Sequence, residues 1–372
     1  MLIGRSPVRI SFGGGGTDLP SYYEQYGGAV LNVAINKYFY TVVGKRFDGR
    51  VQVISSDLRI FETWRDVAAM PIHGSGLEIP LAVLKEIGKD LSIDIFLASE
   101  IPPGTGLGSS ASVCVNILKS LSTCLGEHLS KYELAERAFA ITRHQLGRHV
   151  GKQDEYAAAF GGLNYISFYA DGGTKVEPVV VAPNVLSQLQ SNLMLFFTGS
   201  AHHSWDILAN QEQATKSRTG TTVEALHEIK ESALRMKDAL TSGDLGYFGN
   251  LLHQAWQSKK RASEFATNSH IDRLYEIARQ HGAAGGKITG AGGGGFLLLY
   301  CEPDAQGNVR AAFENEGIRE MNFSFDLQGA QVIVNDPFID GDGRGGTRWT
   351  FLPVSGESFV NTPGHRAQSA RP

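Results

Sequence analysis

Cysteine is scarce, with Cys114, Cys124 and Cys301 the only three in 372 residues. An odd, scattered set builds neither a disulfide framework nor a C-x-x-C zinc pattern, so the expected compartment is reducing and cytoplasmic. A basic surplus is also missing. Lys and Arg number 34 against 38 Asp and Glu, a formal net charge of −4, which leaves no charge argument for a nucleic-acid or membrane-surface partner. Residues 1–16 hold no apolar stretch of the secretory type. The longest uncharged run, 178–205, is broken by Pro183, Asn184, Gln188, Gln190 and Asn192, which a membrane-spanning helix would not combine. Apolar residues at 42% and charged residues at 19% exclude disorder and a coiled coil. No internal repeat is evident, and the length allows two or three domains. The expected partner is a small molecule, bound by a monomer or homodimer.

Glycine, by contrast, is abundant. Its 44 residues cluster at Gly13-Gly14-Gly15-Gly16, at Gly104-Thr105-Gly106-Leu107-Gly108 and between Gly282 and Gly295. Each cluster adjoins a strand-like segment or opens a helix, where glycine permits tight turns and close approach of a ligand to the backbone. Three ligand-type loops follow from this placement.

The hydrophobic pattern predicts strands at 8–12 and 29–43, a helix at 80–87, a strand at 93–98 and a helix at 110–124. A helix from 130 to 146 opens on Ser130 with Glu133 as its capping-box partner. Strands at 163–168 and 175–181 close a first unit, 1–180. The second unit, 181–336, starts with a strand at 193–197 and continues with helices at 203–215, 222–240, 245–265 and 271–281. Strands at 287–288 and 296–300, a helix at 309–316 and strands at 320–325 and 331–334 complete it. Beyond 336 the composition turns to Gly, Pro, Ser, Arg and Thr, and 337–372 reads as an appended polar tail.

The segment Pro102-Pro103-Gly104-Thr105-Gly106-Leu107-Gly108-Ser109-Ser110-Ala111 holds the clearest chemistry. A helix start carries unpaired N–H groups and partial positive charge, so a glycine loop feeding into one cradles phosphate oxygens. Pro103 to Ser110 are therefore candidate nucleotide contacts, and the Ser110 hydroxyl is a candidate ligand for a phosphate-bound Mg²⁺. A bare G-x-G-x-G would equally suit a plain strand-to-helix turn; the flanking residues narrow the choice. The sequence contains no G-x-x-x-x-G-K-[ST], and Ser109 stands where a dinucleotide fingerprint needs glycine.

These residues resemble the second motif of the GHMP small-molecule kinases, P-x-x-x-G-L-G-S-S-A. The family's first motif is matched by Ser6-Pro7-Val8-Arg9-Ile10-Ser11-Phe12 followed by Gly16-Thr17-Asp18. The third is matched by Gly286-Lys287-Ile288-Thr289-Gly290-Ala291-Gly292-Gly293-Gly294-Gly295. Within the family, the segments at 14–23, Asn36-Lys37-Tyr38 and 151–162 look like the heptose 7-phosphate kinase branch. The resemblance implies an α/β (α+β) fold with a ribosomal-protein-S5-domain-2-like N-terminal domain and a ferredoxin-like, split βαβ C-terminal domain. It further implies ATP and Mg²⁺ as cofactors, and phosphorylation of the anomeric hydroxyl of a sugar phosphate.

Carried over residue by residue, Asp154 takes the position of the base that orients the acceptor hydroxyl, and Arg9 that of the cation beside it. Gly15, Gly16, Thr17 and Asp18 become sugar contacts, with Gly292 and Gly293 added from the third motif. Lys37 and Lys152 are candidates for a distal phosphate, and Lys259 is a third cation to consider. One departure stands out: the family pattern leads us to expect a metal-binding glutamate about 12 residues before Asp154, where this chain has Thr142. The histidine pairs His144/His149 and His202-His203 lack zinc-site spacing and read as ordinary polar residues; the loop 198–204 is a candidate substrate-facing segment. Two other readings stay open, a kinase for an unphosphorylated sugar such as fucose and a catalytically silent sensor on the same fold.

Overall fold

The computed structural model describes residues 1–199, 204–217 and 221–336; the expected tail at 337–372 and the pair His202-His203 lie outside the described residues. In chain order the first elements are β1 (Leu2–Gly13), α1 (Pro20–Tyr26), β2 (Gly28–Lys45), β3 (Val51–Ser55), β4 (Ile60–Trp64), α2 (Glu78–Ile87) and β5 (Ile93–Ser99). Then come α3 (Ser109–Cys124), α4 (Lys131–Ala140), a π-helical turn (Ile141–Gln145), α5 (Gln153–Phe160), β6 (Leu163–Phe168) and β7 (Thr174–Pro178). The second half holds α6 (Pro183–Asn192), β8 (Leu193–Phe197), α7 (Ser204–Ser217), α8 (Thr222–Ser242), α9 (Leu245–Ala262) and α10 (Ser269–Gln280). It ends with β9 (Ala283–Ile288), β10 (Phe296–Cys301), α11 (Pro303–Asn315) and β11 (Gln331–Asn335).

Two sheets organise these elements. The larger runs β11-β1-β2-β5-β3-β4, with β6 pairing β2 and β7 pairing β6; the smaller runs β8-β10-β9. The larger sheet packs its apolar residues against α2, α3, α4 and α5 in a core that includes Val53, Ile95, Val115, Leu118 and Ala138, all buried. Residues of β1, β2, β8, β10, α8 and α9 form a second core that joins the two sheets, with Ile10, Val33, Leu195, Met236, Leu252 and Leu298 at its centre. Burial of this many aliphatic side chains, each worth about 1.5–3 kcal/mol, locks the halves together.

The α+β class is as the sequence implies, with differences of detail. β11 pairs antiparallel with β1, so the strand at 331–334 leaves the second unit and returns to the first sheet, where it satisfies the open edge of β1. The expected strand at 320–325 makes only isolated bridges, Phe196 to Glu320 and Ile35 to Phe325. The capping box at Ser130 is present, but the α-helix it starts ends at Ala140 and continues as the π-helical turn, a local widening common at functional sites.

Candidate active site

The second glycine loop is built by backbone geometry. Gly104, Gly106 and Gly108 have φ of 74°, 79° and 79°, a region that costs glycine nothing. The loop delivers the chain into α3 with no side chain capping its first N–H groups, which leaves a positive helix end facing outward. A Cβ at Gly106 would fall 2.5 Å from the Thr289 carbonyl oxygen, and one at Gly290 2.6 Å from Gly106 Cα. The Phe296 amide donates to Thr105 O at 3.2 Å, so the second and third glycine loops meet backbone to backbone. Pro103 is exposed, Leu107 buried and Ser109 half-buried. The Ser110 hydroxyl has no hydrogen-bond partner among the described residues.

Arg9 reaches this loop from β1. Its Nη1 donates to Gly106 O at 2.6 Å, its own amide donates to Leu107 O at 2.9 Å, and Nε donates to Asp154 Oδ1 at 2.7 Å. A second guanidinium nitrogen lies 2.6 Å from the same oxygen; Arg9 is 4% exposed and Asp154 27%. The carboxylate is therefore the more accessible member, with its cation buried behind it. It also sits against α3, since a Cβ at Gly108 would be 3.2 Å from the Asp154 carboxyl. An acceptor hydroxyl at Asp154 would lie next to the anion cradle, the arrangement that phosphoryl transfer needs.

Asp18 lies on the other side of Asp154, fully sequestered. Gly16 N donates to its Oδ1 at 2.8 Å, and the Gln153 side-chain amide and backbone N–H donate to its two oxygens at 3.2 Å each. Burial, then the neighbouring Asp154 charge, pushes the Asp18 carboxyl above its ordinary value. Thr17 holds the loop closed through Gly14 O at 2.8 Å and Ala29 O at 3.0 Å. Gly15 faces Gln153, and Gly16 abuts Gln211 of α7 so closely that a Cβ there would be 2.5 Å from its amide nitrogen. Gln153 and Gln211 are site residues that the sequence reading missed.

Other calls separate from this centre. The Lys152 ammonium turns away to Glu136 at 2.7 and 3.0 Å and to Gly172 O at 2.7 Å. These contacts occupy its donors within the fold. Lys37 lies in the part of β2 where pairing with β1 skips from Tyr38 to Ile35, and it has no hydrogen-bond or ion-pair partner among the described residues. Gly292 and Gly293 pack on Ala266 and Asn268 instead of on Asp154 or Asp18. Lys259 donates to Gly290 O and Ile288 O at 2.5 and 3.3 Å, and Lys287 to Phe12 O at 3.2 Å. Half-buried Lys259 and buried Lys287 brace the third loop; burial, then Arg9, brings Lys287 down to about 7.

Thr142 and Glu155 form a buried pair behind the site, 2.8 Å apart. Thr142 Oγ1 also lies 3.1 Å from both Ala138 O and Phe139 O. A hydroxyl has one proton, so when it serves a helix carbonyl, a neutral Glu155 completes the network as donor. Burial, followed by the Asp154 charge, raises Glu155 to about 8, in keeping with that form. Its Oε2 is buried with no partner among the described residues.

No group of three or more His, Cys, Asp or Glu side chains among the described residues is arranged as a metal cage. A Mg²⁺ that arrives with nucleotide phosphates and keeps several waters needs no such cage, and the unpartnered Ser110 hydroxyl beside the α3 N-terminus fits that mode. No helix among the described residues is long and apolar enough to cross a membrane.

Comparison with known proteins agrees with this geometry. The model of the GHMP kinases N terminal domain matches residues 78–162 and that of the GHMP kinases C terminal matches 236–319. The chain is similar to the D-glycero-alpha-D-manno-heptose 7-phosphate kinase of Campylobacter jejuni, 34% identical over 334 residues that cover 88% of this chain and 97% of the relative. It is also similar to an L-fucokinase/L-fucose-1-P guanylyltransferase of Bacteroides fragilis, at 27% identity over 82% of this chain and 35% of that protein. Among solved structures, a D-glycero-D-manno-heptose 1-phosphate kinase from Bacteriodes thetaiotaomicron superposes with a TM-score of 0.75 at 31% identity, covering 89% of this chain and 98% of the other.

Proposed function

We propose, for a chain that belongs to the GHMP kinase family and is a sugar kinase using ATP as its phosphate donor, that the acceptor is the anomeric hydroxyl of D-glycero-D-manno-heptose 7-phosphate. The observation that carries this reading is the Asp154 carboxylate, backed by buried Arg9 and set against the uncapped start of α3. The 34% identical relative, which the chain spans almost completely, supports the heptose 7-phosphate over fucose.

In this reading residues 103–110 cradle the ATP phosphates, and Ser110 is the residue that would hold Mg²⁺. The bound cation offsets charge on the phosphate oxygens. Gly15, Gly16, Thr17 and Asp18 bind the sugar. Asp154 accepts the proton of the anomeric hydroxyl as its oxygen bonds to the γ-phosphorus and the bond from that phosphorus to ADP breaks. The products are the heptose 1,7-bisphosphate and ADP, with the proton left on Asp154. Arg9 orients the carboxylate and balances charge on the transferring group. Most of the acceleration comes from positioning, because phosphoryl transfer asks little covalent chemistry of the protein.

The test is ATP consumption by the purified protein against a panel of sugars and sugar phosphates. Heptose 7-phosphate should give the highest kcat/KM. A higher value for unphosphorylated heptose or fucose would replace this reading with the non-phosphorylated sugar kinase.

A further inference from the structure

A second charged cluster borders the Asp18 loop. Glu212 of α7 follows Gln211, whose amide donates to Gly16 O at 3.4 Å, so the cluster lies one helix position from a contact with the glycine loop. One Arg143 nitrogen, Nη2, lies 2.8 Å from Glu212 Oε1 and donates to Oε2 at 3.2 Å; His149 Nδ1 lies 2.6 Å from Oε2.

The exposure pattern reverses that of Arg9 and Asp154. Here the carboxylate is the buried member, at 1%, while Arg143 is 16% and His149 46% exposed. The accessible character is cationic. Arg143 also keeps donor capacity: its Nη1 is buried without an acceptor among the described residues, a costly state unless another oxygen serves it. Arg143 belongs to the π-helical turn, whose extra residue per turn re-aims the side chains that follow Ala140. Arg148, further along the same segment, lies over the Trp205 ring at 4.7 Å.

We propose that Arg143 and His149 receive the distal phosphate of the sugar substrate, with Glu212 as the buried counter-charge that orients both. This rests on the sugar-phosphate reading given above. Along residues 143–154 the chain would then present, in order, a phosphate end, the Gln153–Asp18 hydroxyl contacts and the reacting end at Asp154. With Nη2 held by Glu212, the exposed part of the guanidinium and the His149 ring can meet an incoming anion without breaking the ion pair, while the covered Nη1 must move out to reach it.

The experiment measures kcat/KM for heptose 7-phosphate and for the same heptose without phosphate in the wild type, R143Q, R143K and H149Q. Inorganic phosphate serves as a competing probe. R143Q should reduce the preference for the phosphorylated sugar about tenfold or more, the loss of one charge-assisted contact, with partial recovery in R143K. Inorganic phosphate should compete with heptose 7-phosphate in the wild type and weaken as a competitor in R143Q. Because R143Q removes one partner of a buried pair, H149Q, which leaves the Arg143–Glu212 bridge in place, gives a second reading and should lower the preference in the same direction. A loss shared equally by the two sugars in both variants would make the cluster a structural ion pair and overturn the proposal while the sugar-phosphate reading survives. A wild type without preference for the phosphorylated sugar would overturn both.

Discussion

Two ion pairs near the glycine loops use the same residue types with opposite polarity. At the reacting end the cation, Arg9, is 4% exposed and the carboxylate, Asp154, is 27% exposed. At the far end the carboxylate, Glu212, is buried and Arg143 and His149 are the more accessible partners. An ion pair taken out of water contributes little net stability, because desolvation offsets the Coulombic gain. Which member is left facing the ligand therefore decides what the pair can do. A forward carboxylate can orient a hydroxyl and take its proton; a forward guanidinium can hold an anion.

The sharpest way to break this contrast is at Asp154. Replacement by Asn keeps the shape and removes the proton acceptor, so kcat should fall at least about 10²-fold, the usual scale for a general base. KM for ATP should change little, since the proposed phosphate cradle is the loop at 103–110. A variant within a few-fold of wild type in steady-state assays would assign the proton to another group and erase the distinction between the two ends.

Gly106→Val attacks the cradle between the ends. The new side chain would meet Thr289 O at 2.5 Å from a backbone with φ of 79°, so the second and third loops must separate. Nucleotide affinity should be lost in calorimetric titration, with the far-ultraviolet circular dichroism of the fold retained. Unchanged affinity would mean that the nucleotide phosphates do not use this loop.

How much of this was legible in the sequence depends on the range of the contacts. The glycine loops and the N-cap at Ser130 announce themselves within a few residues, because backbone freedom and capping are local properties. The long strands and most helices are set by periodicity. β3, β4, α1, α5 and α6 are short and escape that reading, although Pro20 and Pro183 at the starts of α1 and α6 are usable signals. The far cluster could not be read at all. Glu212 lies 69 residues from Arg143 and 63 from His149, and only the packing of α7 on the Gly16 loop joins them. Lys152 shows the converse: the resemblance of its stretch to the heptose 7-phosphate kinases suggests a distal-phosphate contact, while the fold draws its side chain to Glu136.

That contact gives a third prediction. Lys152→Met removes the cation from a contact in which Lys152 is 5% exposed and Glu136 42%. It should lower the thermal midpoint and leave the ratio of kcat/KM between phosphorylated and unphosphorylated sugar within about twofold of wild type, the opposite of R143Q. A selective loss of the phosphorylated sugar in Lys152→Met would return the phosphate to the Lys152 side and undo the assignment of the far end.

The smallest effect on turnover is expected at Glu155, next in sequence to Asp154 but turned into the core. Its carboxyl is raised to about 8, by burial first and the Asp154 charge second, while in the unfolded chain it titrates near its ordinary value of about 4.3. Between those values the folded protein holds a proton that the unfolded chain has released. Stability from this group is therefore complete below the unfolded value and drains away as pH rises toward 8. Glu155→Gln keeps a donor for Thr142 and cannot ionise. Its thermal midpoint should sit near that of wild type at pH 5 and above it at pH 8.5, with kcat at neutral pH reduced only a few-fold. A difference between the two proteins that stays constant from pH 5 to 8.5 would show that Glu155 is already ionised in the fold. It would then add a third fixed negative charge near Asp154 and Asp18, and the forward carboxylate at the reacting end would no longer differ in kind from the buried one behind it.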